Sequence, residues 1–423
     1  MPDIPVAVTS RFMREVNTTA VLAHLREVER ASVSGLAAAT GLSRQAVARV
    51  LDELHSIGLV ETLPPERTGG RSGRPAQSVR FRAEAGYVVG ALIDPQELHL
   101  AVADLRGSIV TDTRIPLGGL AQDQHVLDLL VAETAALLDR AGLTADEVFS
   151  ATIGTPGIVD PGAGVISAVP SMPVLAGDVL VQALGRLLTC PVHLDNDLKL
   201  AARGEQWKGS ETGVRHLVVV HWGVRVGAGV VIDGALYRGA SNDAGELGFL
   251  DVLGGDLMPE PGLGRFETWT GVRALVRLVA DELDDRGDQA GADLLRRMGE
   301  TAFETVLDGV ARSSAAHLAA LHRLTRRFAH GLVAIRTLLD PEVVVISGPL
   351  ARVGPPVLDL LQEALDEQAL AAPRLELSVL GRDAVVRGAV RYGLDQVESH
   401  GYLTTERRDP TGSGLHPRPL TLP

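Results

Sequence analysis

Residues 34–58 read SGLAAATGLSRQAVARVLDELHSIG, and the fold at the front of the chain follows from where that stretch breaks. Gly41 separates two helical patterns at a point where a residue free to take positive φ makes a tight turn. Before it, Ser34 opens a short segment carrying Leu36, Ala37 and Ala38; after it, Ser43 is a helix cap. In the longer second helix Val47, Val50, Leu51 and Leu54 recur at helical spacing and face inward, which leaves Arg44, Gln45, Ala48 and Arg49 pointing away. A helix, a glycine turn and a second helix make a helix-turn-helix, whose second member reads base edges near its N-terminus. Arginine pairs bidentately with guanine and glutamine with adenine, so Arg44 and Gln45 are the expected base contacts, with Ser43, Ala48 and Arg49 beside them.

The flanks agree with that reading. Upstream, Asn17 offers a cap for a first helix with Val21, Leu22, Leu25 and Val28 on one face. Downstream, LVETL (59–63) and QSVRFR (77–82) alternate like two strands around PPERTGGRSGRPA (64–76), a loop suited to a wing, with Arg71 and Arg74 placed for the DNA backbone or minor groove. From Arg67 to Arg82 five arginines occur with no acidic residue, a stretch suited to phosphates. Residues 1–82 hold 11 Arg against 8 Asp plus Glu, a net of +3, so the rest of a chain of net charge −13 carries −16. A basic head on an acidic body is the charge pattern of a DNA-binding protein.

At 423 residues two or three folding units are expected, and 45% apolar residues support a large core. No run approaches the roughly 20 apolar residues of a membrane span, and MPDIPVAVTSRF lacks the pattern of a signal peptide, so a cytoplasmic protein is expected. The single cysteine, Cys190, excludes an intrachain disulfide and a multi-thiolate zinc site. Cys190 and the three tryptophans read as packing residues. The expected division is a winged helix-turn-helix over 1–85, an α/β body over 86–400 and a disordered tail over 401–423.

In the body, antiparallel strands open the domain near Tyr87, a helix fills about 123–141, and VFSATIGTPGIVD (148–160) is a strand running into a turn at Pro156 and Gly157. CPVHLDNDLKLAARGEQWKG (190–209) ends a strand at Asp195, Asn196 and Asp197 and begins a helix, and the C-terminal edges of strands are where α/β proteins bind ligands. Asp197 has two readings there, as the helix cap or as a carboxylate for a ligand.

TGLSRQAV and GRPA in the head, then IGTPGIVD, PVHLDND, VGAGVVIDGALYRGASNDAGELGF and VVVISGPLA in the body, resemble in order and spacing the blocks of the ROK family, in its repressor branch, over residues 12–400. The resemblance implies a winged helix-turn-helix followed by a two-lobed, actin-like and ribonuclease-H-like α/β domain. It further implies a sugar cleft lined by Pro156, Gly157, Asn196, Asp197 and Glu246, with Asp197 standing where the family's kinases keep their general base. Two departures bear on activity. The kinases' glycine loops are replaced by Leu92-Ile93-Asp94-Pro95-Gln96 and Gly223-Val224-Arg225-Val226-Gly227, which obstruct close approach of a phosphate. Where relatives carry a zinc-ligating histidine this chain has Phe249, and the following segment lacks the cysteine trio. The expectation is a regulator without zinc, ATP or catalysis, acting on operator DNA as a homodimer or homotetramer and sensing a sugar or sugar phosphate. Arg225 reads either as a surface arginine or as a fork for an acidic metabolite. A kinase carrying a DNA-binding head and a ligand-independent repressor are the competing functions.

Overall fold

The structure is a computed structural model that describes residues 10–64, 78–118, 120, 123–210, 213–252, 254, 258–368 and 372–399. The head comprises α1 (Ser10–Glu27), β1 (Ala31–Ser32), α2 (Val33–Thr40), α3 (Arg44–Ser56), β2 (Val60–Leu63) and β3 (Ser78–Phe81), with the strands ordered β1-β3-β2. Gly41 takes φ 72° at the end of α2, and the Ser43 hydroxyl accepts from Ala46 N at 3.2 Å to start α3. Two boundaries differ from expectation. Asn17 lies inside α1 because the helix already runs from Ser10, and α2 is capped by Ser32, whose hydroxyl accepts from Gly35 N, so Ser34 is inside it. Cap-forming side chains are permitted within helices, and the sequence does not say which of several is used.

The body is two lobes with one strand plan used twice. Lobe 1 holds β4 (Tyr87–Ile93), β5 (Glu97–Asp104), β6 (Ile109–Pro116), α4 (His125–Ala141), β7 (Val148–Thr155), the hairpin β8 (Ile158–Asp160) and β9 (Val165–Ala168), α5 (Val179–Leu184) and β10 (Val192–Asn196). Its sheet runs β10-β7-β4-β5-β6. From α6 (Asp197–Lys208) the chain enters lobe 2: β11 (Leu217–Trp222), β12 (Val226–Ile232), β13 (Ala235–Tyr237), α7 (Arg265–Thr270), α8 (Val272–Asp285), α9 (Gln289–Met298), α10 (Phe303–Ala311), α11 (Ala315–Leu339), β14 (Val343–Ser347), α12 (Pro355–Gln368) and β15 (Arg374–Leu377). That sheet runs β13-β12-β11-β14-β15. In each lobe the first three strands pair antiparallel and the last two add in parallel beside the first. The parallel strands β7 and β14 are buried along their whole length, as strands covered on both faces must be.

Each lobe has its own apolar core, and Trp222 anchors that of lobe 2 by stacking on Phe328 at 3.8 Å while its Nε1 donates to Thr270 O at 2.6 Å. Cys190 is buried in the lobe 1 core, and burial pushes its thiol up to about 12. The last helix, α13 (Ala384–Ser399), returns from lobe 2 to pack on β4 and β7 of lobe 1 and crosses α6 on the way. Among the described residues, no helix is long and apolar enough to cross a membrane. The expected tail over 401–423 lies outside the described residues.

Candidate effector cleft and DNA-binding face

Along α3, Val47, Val50, Leu51 and Leu54 are buried against α1 and the head sheet, so the opposite face is turned to solvent. Arg44, Gln45 and Arg49 are exposed on it, Ala48 is half-buried, and Ser43 is exposed at the cap. Arg71 and Arg74 lie outside the described residues, as does Arg67. Arg80 and Arg82 are inside and correct the expectation of a free basic run. Arg80 pairs with Glu61 and, at 2.8 Å, with Glu84, while Arg82 donates to Gly58 O at 3.0 Å. Both are occupied in holding the head together, because strand pairing sets Arg80 directly opposite Glu61.

In the body, Pro156 and Gly157 form the turn after β7, and Gly157 takes φ 100° with room for no side chain: a Cβ would lie 2.2 Å from Ala168 O. Asn196 ties this turn to the start of α6. Its Nδ2 donates to Gly157 O at 3.1 Å, and its Oδ1 accepts from Leu198 N and Lys199 N at 3.1 and 3.2 Å. Asn196 is therefore the cap of α6, and Asp197 occupies the first helical position, where its carboxylate faces the positive end of the helix dipole. Glu246 arrives from lobe 2. Gly245 beside it takes φ 98° and is pressed so closely onto β12 that a Cβ would lie 1.9 Å from Ala228 O, which fixes where the Glu246 loop runs.

Asp197 is the most perturbed carboxyl in this group. Burial raises it to about 7, the negative charges of Asp94 and Glu246 add to the rise, and the Leu198 N–H and Lys199 oppose it. Burial likewise raises Asp94 and Glu246, and lowers the buried Lys199, whose charge the surrounding carboxylates Asp195, Glu246 and Asp197 support. Gly157, Asn196, Asp197 and Glu246 thus lie near one another: Asn196 holds the Gly157 carbonyl, and the Glu246 charge acts on its neighbour Asp197. The same region also gathers groups the sequence reading had not assigned to it. Asp195 is fully buried and receives Arg238, from beyond β13, in a two-pronged pair at 2.8 and 2.5 Å. Both residues lie in quoted blocks, PVHLDND and LYRGASND, but nothing local to either says that they meet.

The two loops that the resemblance sets against the kinases' glycine loops carry internal pairs. The Asp94 carboxylate accepts from Gln96 N and Glu97 N at 2.7 and 2.8 Å, so the amides of the β4–β5 turn point at an internal anion. In the second loop, Arg225 donates to Glu267 at 3.0 Å, and the buried Glu267 also accepts from Val226 N and Gly264 N. Phe249 is 65% exposed, and its ring offers no metal-ligating atom. Among the described residues, no group of three or more His, Cys, Asp and Glu side chains is arranged to hold a metal ion.

A winged helix-turn-helix head, joined to a body of two lobes with the same strand plan, is the build of a DNA-binding regulator. The ROK family model matches residues 93–394 and the MarR family model residues 15–72. The chain belongs to the ROK family, with a MarR-type helix-turn-helix at its N-terminus, and is a transcriptional regulator of that family. It is similar to the xylose repressor of Caldicellulosiruptor bescii, 22% identical over 90% of this chain and 95% of that one. It is also similar to a glucokinase of Halalkalibacterium halodurans, 24% identical over 71% of this chain and 93% of that one. A solved ROK family transcriptional regulator, a homologue of the Escherichia coli Mlc protein, superimposes with a TM-score of 0.76, covering 92% of this chain and 98% of that one at 21% identity.

Proposed function

We propose that the protein is a cytoplasmic, ligand-responsive repressor: α3 reads operator DNA, and the cleft between the lobes takes a sugar or sugar derivative whose binding changes DNA affinity. The observation that carries the reading is the joining of Gly157, Asn196, Asp197 and Glu246 in one cleft beneath a head whose Arg44 and Gln45 are exposed. Adjacent sugar hydroxyls need closely spaced carboxylates and amides, and these groups supply both acceptors and donors. At Asp197 the negative charges of Asp94 and of Glu246 each act more strongly than the positive charge of Lys199, which favours a neutral sugar over a sugar phosphate at this group. A single head spans one half-site, so operator binding as a homodimer or homotetramer on a palindrome belongs to the same reading. The wing arginines Arg71 and Arg74 would add backbone contacts.

Phosphoryl transfer is not part of the proposal. Asp94 occupies the amides of the β4–β5 turn and Arg225 is tied to Glu267 in the second loop, which argues against ATP at these loops; zinc is no part of the reading. The test is release of operator DNA. Glu246→Ala and Asp197→Ala are expected to keep DNA binding and lose release by neutral sugars; normal release in both variants would refute the cleft. One observation favours a second reading, a sugar kinase with a DNA-binding head: Asp197, held near neutrality at about 7, suits a general base. Sugar-dependent ADP formation abolished by Asp197→Asn would establish that reading instead.

A further inference from the structure

The helix α13 touches three parts of the molecule at once. At its front it crosses α6 backbone to backbone, since a Cβ on Gly388 would lie 1.8 Å from Leu200 O and one on Gly204 2.1 Å from Ala384 O. The helix it crosses begins at Asn196 and Asp197 in the cleft. Toward its end, Val390, Leu394 and Val397 share one apolar cluster with Val21, Leu25, Leu54 and Phe81 of the head.

A line of charges runs along the same helix. Arg238 of lobe 2 holds Asp195 at the base of the cleft, and both charges, with that of Arg203, act on Tyr392. The Arg203 guanidinium stacks 5.1 Å from the Tyr392 ring and pairs with Asp395. Asp395 is shared with Arg391 at 2.8 Å, Arg391 is shared with Glu398 at 3.2 Å, and Glu398 pairs with Arg26 of α1. Arg26 lies over Phe81 in the seam between head and body, 12% exposed, with its Nε and Nη2 lacking a partner among the described residues.

We propose that α13 carries the state of the cleft to the DNA-binding head through the shared pairs Arg203–Asp395–Arg391–Glu398–Arg26. Each interior member has two partners, so the chain has two arrangements. With Arg203 on Asp395, Arg391 divides itself between Asp395 and Glu398 and competes with Arg26. When α6 swings against α13 and withdraws Arg203, Arg391 settles on Asp395 and Glu398 is left to Arg26, holding the head more firmly. Because α6 enters lobe 2 and packs on β11 and β12, movement of the lobes is what shifts Arg203. The inference rests on the sensor reading above and specifies its regulation; coupling of this kind needs an element whose balance both sites bias, and the shared pairs are that element.

The test is amide hydrogen exchange on the full-length chain, read in α1. Arg203→Gln, which touches no head residue in the contacts above, is expected to slow exchange in α1 by about threefold or more, the scale of coupled neighbours. Glu398→Gln is expected to speed it, and adding Arg203→Gln to Glu398→Gln is expected to change nothing further. Unchanged α1 exchange in Arg203→Gln, or additive effects in the double variant, would overturn the proposal. Arg203→Lys, which keeps the charge, guards against a folding defect and should remain within about twofold of the parent. A pool of neutral monosaccharides separates the two ideas. If the pool never releases DNA while the exchange effects stay non-additive, the sensor reading fails and the coupling stands. If the pool releases DNA equally from the parent and Glu398→Gln, the coupling fails and the sensor stands.

Discussion

Arg238 and Asp195 join the two lobes by a two-pronged ion pair at 2.8 and 2.5 Å, with the Asp195 side chain fully buried. Asn196 N also donates to Asp195 at 2.9 Å, so the pair fixes the backbone from which the Asn196 and Asp197 side chains project. Removing Arg238 would strand a carboxylate away from water. Arg238→Ala is therefore expected to cost about 3–5 kcal/mol in urea unfolding, and the double variant with Asp195→Asn to recover part of that loss. A cost below about 1 kcal/mol, as for an exposed pair, would contradict the assignment.

Asp197 gives a pH signature with a definite sign. Its carboxyl rises from an ordinary 3.8 to about 7 in the folded chain, so the folded state binds the proton more tightly than the unfolded one. Stability from this group is complete at pH values below 3.8 and is lost as the pH climbs through about 7. Asp197→Asn cannot lose it. Its stability relative to the parent should rise across that window and level off above it, as thermal unfolding at a series of pH values would record. A constant difference between the two proteins would mean that Asp197 is not perturbed.

The α6–α13 crossing admits no side chain at Gly388, where the obstacle is the Leu200 carbonyl and not a movable side-chain end. Gly388→Ala should destabilise by about 3 kcal/mol, the upper range for overpacking, whereas the same change at the exposed helical Gly35, where a Cβ would meet only Ser32 Oγ at 3.4 Å, controls for backbone entropy. A near-neutral Gly388→Ala would show that the two helices do not approach so closely.

On α3, Arg44 and Gln45 are exposed while the apolar face is consumed by the head core. Arg44→Ala should weaken binding to a selected operator by about 1–3 kcal/mol and relax preference at one base position, leaving sugar affinity unchanged. Equal weakening for every sequence, measured by competition with random DNA, would reduce Arg44 to a phosphate contact.

Local signals made α3 and its cap readable, because Val47, Val50, Leu51 and Leu54 keep helical spacing and Ser43 stands just before them. The start of α1 was not readable in the same way. Asn17 has cap chemistry, but nothing in the residues before it stops the helix, which runs from Ser10. In the cleft, Asn196 and Asp197 announce themselves at a strand end, yet which of them caps α6 is decided by the distance of Asn196 Oδ1 from two amides. Arg225, weighed as a surface arginine or an anion fork, turns out to be bound to Glu267, 42 residues away. The Arg26–Glu398 pair spans 372 residues of chain, and no periodicity or motif marks contacts of that range.

Capture of fragmented genomic DNA by the purified protein, with and without pooled neutral sugars and pooled sugar phosphates, decides whether this chain is a sugar-responsive repressor. Discrete palindromic sites that the neutral pool releases are the expected result. Failure to select any DNA, or selected sites that no pool releases, would contradict a sugar-responsive repressor.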